Sequence, residues 1–281
     1  MSDSPRSVPD WVVRLAERSR AADGAPPFSD QALVDYRTGS RELVAIDEVA
    51  AAIVAPGEAE FVVDPDARGR RTGTALLETL LSSSGPRMLF WAHGDHPAAR
   101  ALAASHGLTP VRELLRLSRE LPASAGFRAP NTTNPGNSGV GPFVVGGDED
   151  EWVALNALIF RDHAEQGSVS RADLEQLETE AWFNADDFLV LRDGDRMIGY
   201  CWLKLEPPLG EFYVVGVHPE YQGLRLGGLL FEAGLARMRE LGIQKAHLYV
   251  EGDNGPALGL YTSRGFERDS IDIQYSSLQS A

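Results

Sequence analysis

The 281-residue sequence is poor in cysteine, in basic residues and in long apolar runs. Its one cysteine, Cys201, cannot close an internal disulfide, which fits a reducing compartment. Cys201 stands in an apolar stretch and reads as a small core side chain. No set of Cys and His has the spacing of metal ligands, so no metal is expected. No run of about 18 apolar residues occurs, which excludes a membrane-spanning helix. The opening MSDSPRSVPDW lacks the basic-then-apolar order of a signal peptide, and a cytoplasmic location is expected. Lys and Arg number 26 against 41 Asp and Glu, a formal net charge of −15. Acidity of that size argues against a nucleic-acid partner and suits a pocket for a cationic amine. The hydrophobic fraction, 43%, suffices for a core, and the length allows one large domain or two ordinary ones.

The most informative stretch is Glu211–Phe231, EFYVVGVHPEYQGLRLGGLLF. Phe212, Tyr213, Val214, Val215 and Val217 favour a strand, and Pro219 ends it. Gln222-Gly223-Leu224-Arg225-Leu226-Gly227-Gly228 then opens a helix to about Leu241. A loop of this kind at a helix N-terminus aims free N–H groups at one point, which suits a pyrophosphate. By itself it is equally an ordinary turn.

The same order occurs earlier. Val63-Asp64-Pro65 aligns with Val217-His218-Pro219 at an offset of 154, which sets Arg68 on Gln222, Gly69 on Gly223, Arg71 on Arg225 and Gly73 on Gly227. Met88–Asp95 and His247–Asn254 each read as a strand entering a turn. A helix follows each, then His106-Gly107-Leu108 and Arg264-Gly265-Phe266, then a last strand near 111–119 and 268–277. Matching elements in series mean an internal duplication of a mixed α/β layer. The expected division is 1–120, a Pro/Gly/Asn/Ser-rich linker at 121–142, and 143–281. Helices are expected over 11–22, 75–83, 149–161 and 171–182, and strands over 187–192, 196–205 and 211–217; residues 41–54 give no clear pattern.

In the second copy, alternation puts Glu211, Tyr213 and Val215 on one strand face, and Tyr200, Trp202 and Lys204 on one face of the strand before it. If those faces coincide, Glu211 and Lys204 line one cleft, where Glu211 can deprotonate an amine; otherwise both are solvated surface charges. Tyr261 is either a general acid or a core aromatic, and Asn254 either a ligand contact or a helix N-cap.

The Val-x-Val-x-Pro lead-in with its Gln-Gly…Gly-Gly loop resembles the acyl-CoA loop of the GNAT superfamily of N-acyltransferases. Arg225 replaces the first glycine usual there. The resemblance implies two tandem GNAT domains, acetyl-CoA as co-substrate, direct attack of an amine on the thioester, and backbone N–H groups at Val215–Val217 that meet the oxyanion. It makes Glu211 the base and Tyr261 the acid for the leaving thiolate, the two facing each other across one cleft. In the first copy Ala103 falls on Tyr261 and His96 on Asn254, so that copy is expected to keep the loop without catalysis. Trp91-Ala92-His93-Gly94, His163–Gly167, Glu180–Phe183, Gly210–Val217 and Leu248–Asn254 further resemble the tandem GNAT family of mycothiol synthases, which acetylate the cysteinyl amine of Cys-GlcN-inositol. That resemblance implies substrate contacts at Asp30, Glu165, Lys204, Glu211 and Tyr249. It implies acetyl-CoA contacts at Val215, Gly216, Val217, Gln222, Gly223, Leu224, Arg225, Leu226, Gly227 and Gly228, and in the turn Asn254, Gly255, Pro256, Ala257, Leu258 and Gly259. In the first half they fall on Phe61, Val62 and Val63 and on Gly69, Arg70, Arg71, Thr72, Gly73 and Thr74. A monomer is expected, with acetyl-CoA and a small-molecule amine as its partners. The rival expectations are a GNAT enzyme for another amine, such as a peptide N-terminus, and a non-catalytic acyl-CoA sensor.

Overall fold

The computed structural model describes residues 6–83, 87–122, 138–161 and 166–278. The chain divides into two compact units, Met1–Arg116 with Val250–Gly255 and Arg268–Ala281, and Leu117–Tyr249 with Pro256–Glu267. The linear division at a 121–142 linker is thus corrected in two places: the end of the chain belongs to the first unit, and part of the linker is a strand. Residues 123–137 of that linker lie outside the described residues.

The first unit begins with α1 (Asp10–Asp23) and α2 (Asp30–Thr38), followed by β1 (Glu42–Ile46), β2 (Ala50–Ala55) and β3 (Glu58–Val63). Then come α3 (Thr72–Ser83), β4 (Leu89–Ala92), α4 (Pro97–Ser105) and β5 (Thr109–Glu120), whose last residues fall in the second unit. The unpatterned 41–54 is the β1–β2 hairpin. Alternation along β2 explains why its sequence showed no polar face. Ala51 and Ile53 meet Val12, Leu15, Phe28 and Ala32 of the α1–α2 side, while Ala50 and Ala52 meet Leu76, Leu77 and Leu80 of α3. Buried on both faces, the strand is apolar throughout.

The second unit runs through β6 (Ser138–Pro142), α5 (Glu149–Ile159), α6 (Arg171–Leu177), β7 (Phe188–Asp193), β8 (Arg196–Glu206), β9 (Leu209–Val217), α7 (Leu226–Glu240), β10 (Lys245–Glu251) and α8 (Gly255–Thr262), of which the end of β10 and the first residue of α8 fall in the first unit. Strand β11 (Glu267–Ser276) closes the chain and lies, but for its first residue, in the first unit. Strand order is β1-β2-β3-β4-β11-β5 in the first unit and β10-β9-β8-β7-β6 in the second. β6 survives its two glycines and terminal Pro142 because it is an edge strand, paired only with β7, where a missing N–H costs little. α6 ends at Leu177, short of the expected 182.

Two covers enclose the second unit's sheet. On one face Trp152 of α5 packs edge-on against Phe188, Tyr200 and Trp202, and the Tyr200 hydroxyl donates to the buried Asn156 at 2.7 Å. On the other, α7 comes so close that a Cβ on Gly234 would sit 2.6 Å from Phe212 and 3.0 Å from the Cys201 sulfur. Cys201 is fully buried there, and burial pushes its thiol well up, as a core residue requires.

The duplication is visible in backbone detail. Asp64 and His218 each cap a short turn opened by a proline, accepting from Asp66 and Glu220 N–H respectively. Arg68 and Gln222 each donate from the side chain to the last strand carbonyl, Val63 O and Val217 O. Gly69 and Gly223 have φ of 72° and 80°.

Candidate active site

β9 pairs antiparallel with β8 so that Glu211 stands opposite Lys204. The register shifts at Trp202/Leu203, leaving Tyr213 as an extra residue in β9, a β-bulge. On its other edge β9 pairs in parallel with β10, Leu209–Phe212 beside Lys245–Leu248, and the pairing stops there although both strands continue. The two strands splay beyond Phe212. His218 donates its N–H to Ile198 O on β8 at 2.8 Å. By alternation Gly216 points the same way, and the N–H groups of Val215 and Val217 point into the splay.

Glu211 lies in a row across three strands. Lys204 flanks it on β8, and His247 on β10 brings Nε2 to 3.4 Å from its carboxylate. The Lys204 ammonium sits 5.2 Å over the Trp182 ring, and Trp182 packs on Trp202 and Tyr213. Tyr249, two residues beyond His247 and therefore on the same face, is 38% exposed. This row thus occupies the α5 side of the sheet. His247 was missed in the sequence reading, although its period-two spacing from Tyr249 marks the same face.

Tyr261 is on the other side. Its ring packs 5.4 Å from Phe231, which stacks on Phe212 at 4.1 Å, and Phe212 alternates with Glu211. The expectation of two side chains facing each other on one side is corrected: carboxylate and phenol stand on opposite faces, with the splay between them. Burial pushes the Tyr261 phenol up, and the nearby Cys201 adds to it. Cys201 is the register partner of Val215, so the phenol lies at the level of the free N–H groups. The phenol is therefore kept protonated near neutral pH.

The 222–228 loop leads into α7, with Leu224 exposed and Gly227 against Val217. Arg225 holds a left-handed backbone, φ 63°, and Arg71 does the same in the first copy, φ 67°. Such a conformation costs a non-glycine residue about 1–2 kcal/mol. Arg225→Gly is expected to raise the free energy of unfolding by about 0.5–1 kcal/mol, read from urea denaturation. An unchanged or lower value would mean that the guanidinium contributes more to the fold than its backbone costs.

Of the other expected contacts, Asn254 and Gly255 stand at the start of α8 and Pro256–Gly259 in its first turns. Asp30 is the first residue of α2 in the first unit. Glu165 lies outside the described residues. Among the described residues no cluster of His, Cys, Asp and Glu could hold a metal ion, and no helix is long and apolar enough to cross a membrane.

The first copy has the same splay and a different filling. β3 pairs with β4 only from Glu58 to Glu60. A cavity of about 410 Å³ opens beyond, lined by Phe61, Val62, Val63, Gly69, Arg71, Gly73 and Thr74 among others. Allowing for the extra residue at the β9 bulge, the offset before it is 153, and Glu58 is the counterpart of Glu211. Glu58 is tied off: Arg41 donates to it at 2.8 Å and Gln274 at 3.1 Å. Lys204, His247 and Tyr261 fall on Ala55, Leu89 and Ala103. On the α2 side His93, which lines the cavity, stands between two buried carboxylates. His93 bridges Glu60 at 3.3 Å and Asp272 at 3.1 Å, and Ser29 donates to Glu60 from both N–H and hydroxyl at 2.6 and 2.7 Å. Burial would lower the His93 pKa, but the hydrogen bonds and charges of Asp272 and Glu60 raise it to about 10. Burial likewise pushes the Glu60 carboxyl up, and His93 with Ser29 more than reverses it.

A model of the acetyltransferase (GNAT) family matches residues 152–266. The chain is 40% identical to a mycothiol acetyltransferase of Kocuria rhizophila, with 96% of each chain covered. It is 41% identical to one of Clavibacter sepedonicus, over 97% of this chain and 96% of that one. Among solved structures it is similar in fold to a tandem GNAT protein from the clavulanic acid biosynthesis pathway, with a TM-score of 0.68, 17% identity and 96% of each chain covered.

Proposed function

The chain belongs to the mycothiol acetyltransferase family of GNAT proteins, and on that premise we propose that it transfers acetyl from acetyl-CoA to the cysteinyl amine of Cys-GlcN-inositol. The observation that carries the chemistry is the splay between β9 and β10, with Glu211 at one face and Tyr261 at the other. A thioester lying through that opening exposes its carbonyl carbon to an amine on the Glu211 side and its sulfur to the phenol on the α7 side. The separation of the two groups by the sheet is then what an acid and a base on opposite sides of one bond require.

Glu211 takes the proton of the ammonium, directly or through water. An α-amine has a pKa of about 7.7–8.0, so a modest base suffices near neutral pH. The Val215 and Val217 N–H groups meet the charge that develops on the carbonyl oxygen. Tyr261 gives its proton to the departing thiolate. Even from an ordinary phenol near 10 to a thiol near 8.5 such a transfer is uphill by about 2 kcal/mol, and burial of Tyr261 adds to that, so it has to accompany cleavage of the C–S bond. Lys204 and Tyr249 are assigned to the hydroxyl-rich remainder of the substrate, and the 222–228 amides with Pro256–Gly259 to acetyl-CoA. The first copy's loop, 69–74 with Phe61–Val63, is assigned to CoA without turnover, in keeping with its tied-off Glu58 and with Ala103.

Initial rates with Cys-GlcN-inositol, GlcN-inositol and free cysteine test the reading. Turnover of the first is expected to exceed the other two by at least about a hundredfold, the discrimination that several hydrogen-bonded contacts supply. Comparable rates on all three would sink the substrate assignment and leave the acetyl transfer standing.

A further inference from the structure

The two copies differ most beneath the splay. In the second, Phe231, Tyr261 and Phe266 form an aromatic floor, with ring centroids 5.4–6.4 Å apart. Their counterparts in the first are Leu77, Ala103 and Leu108, at offsets of 154, 158 and 158. Three rings are thus replaced by two isobutyl groups and a methyl. The space is left open: Leu77, Ala103 and Leu108, with Phe90 and Tyr275, line the 410 Å³ cavity and are members of the unit's hydrophobic core. On the α1–α2 side the cavity is lined by Asp23, ion-paired with Arg68, and by His93, held between Glu60 and Asp272. A thioester entering past Gly69–Thr74 therefore meets ion-paired side chains on one side and an apolar recess on the other.

We propose that the first copy is a binding site for CoA thioesters whose apolar acyl chain is longer than acetyl, held in that recess. This rests on the assignment of CoA to the first copy's loop and names the acyl class it takes. An acetyl group leaves the recess empty, and empty apolar space forfeits contact. Each methylene buried there strengthens binding about fourfold, so hexanoyl-CoA, with four more than acetyl-CoA, binds about 250-fold tighter at this site. In the second copy the aromatic floor denies the same chain its room.

The test is calorimetric titration of the full chain with CoA, acetyl-CoA, butyryl-CoA and hexanoyl-CoA, beside acetyl-transfer assays on the same preparation. The expected result is one site whose affinity climbs from acetyl to hexanoyl. Ala103→Tyr, and separately Leu77→Phe with Leu108→Phe, bring hexanoyl-CoA back to the acetyl-CoA level. Circular dichroism establishes that each variant is folded, and the two variants fill the recess independently. If acetyl transfer proceeds while hexanoyl-CoA binds no tighter than acetyl-CoA, the acyl-class inference is overturned and the proposed function survives. If the steep preference appears and both variants retain it, the recess is not where the chain lies and the inference is overturned as well. Absence of any CoA binding or turnover would remove the proposed function with it.

Discussion

Glu211→Gln is expected to lower kcat/KM for acetyl transfer about 10²–10³-fold at pH 7, the contribution of one positioned proton acceptor. The variant keeps the length of the side chain and its place opposite Lys204 and beside His247. What it loses is the ability to take a proton. The deficit should therefore depend on pH. Above the pKa of an α-amine, about 7.7–8.0, the nucleophile is already free and needs no base. Rates of wild type and variant measured from pH 6.5 to 9.5 are expected to converge at the alkaline end. A constant ratio across that range would show Glu211 holding the substrate rather than accepting its proton.

The second large effect concerns stability. His93→Gln removes the cation from between Glu60, which is 2% exposed, and Asp272, which is 7% exposed. Two buried carboxylates then face an uncharged amide, and the expected loss is about 3–5 kcal/mol at pH 7. The wild-type protein should show the same dependence on the proton. His93 has a folded pKa of about 10 against an ordinary 6.5, so its contribution is complete below about 6.5 and is lost as pH rises towards 10. Urea midpoints of wild type and variant at pH 6, 8 and 10 are expected to approach each other as pH rises. A gap of equal size at pH 6 and 10 would mean that His93 acts by packing and not by charge.

Much of this was legible in the residues. The duplication showed itself because each copy repeats a strand, a proline, a glycine loop and a helix at a fixed offset, and the structure repeats even their capping contacts. Glu211 and Lys204 were legible as neighbours through strand alternation, whereas Tyr249 came only from the family resemblance. What escaped depended on partners far away in the chain. Residues 138–142 carry glycines and a proline, and only the presence of β7 makes them a strand. The Glu60–His93–Asp272 trio joins positions 33 and 179 residues apart, so no local spacing could announce it. The bulge at Tyr213 shifts the copies by one residue, which hid Glu58 as the counterpart of Glu211. The placement of Tyr261 behind the sheet follows from α7 and Phe231, not from its own neighbours.

β11 pairs with β4, Ile273 opposite Ala92, and supplies Ile273 and Tyr275 to the first unit's core, Gln274 to Glu58 and Asp272 to His93. During synthesis on the ribosome, the part of the protein made first therefore waits for the part made last. Until the final strand emerges, β4 has a bare edge and His93 lacks one of its two carboxylates. A chain cut ahead of Arg268 is expected to leave the first unit's core without Ile273 and Tyr275 and β4 without its partner, while the second unit loses none of its own strands.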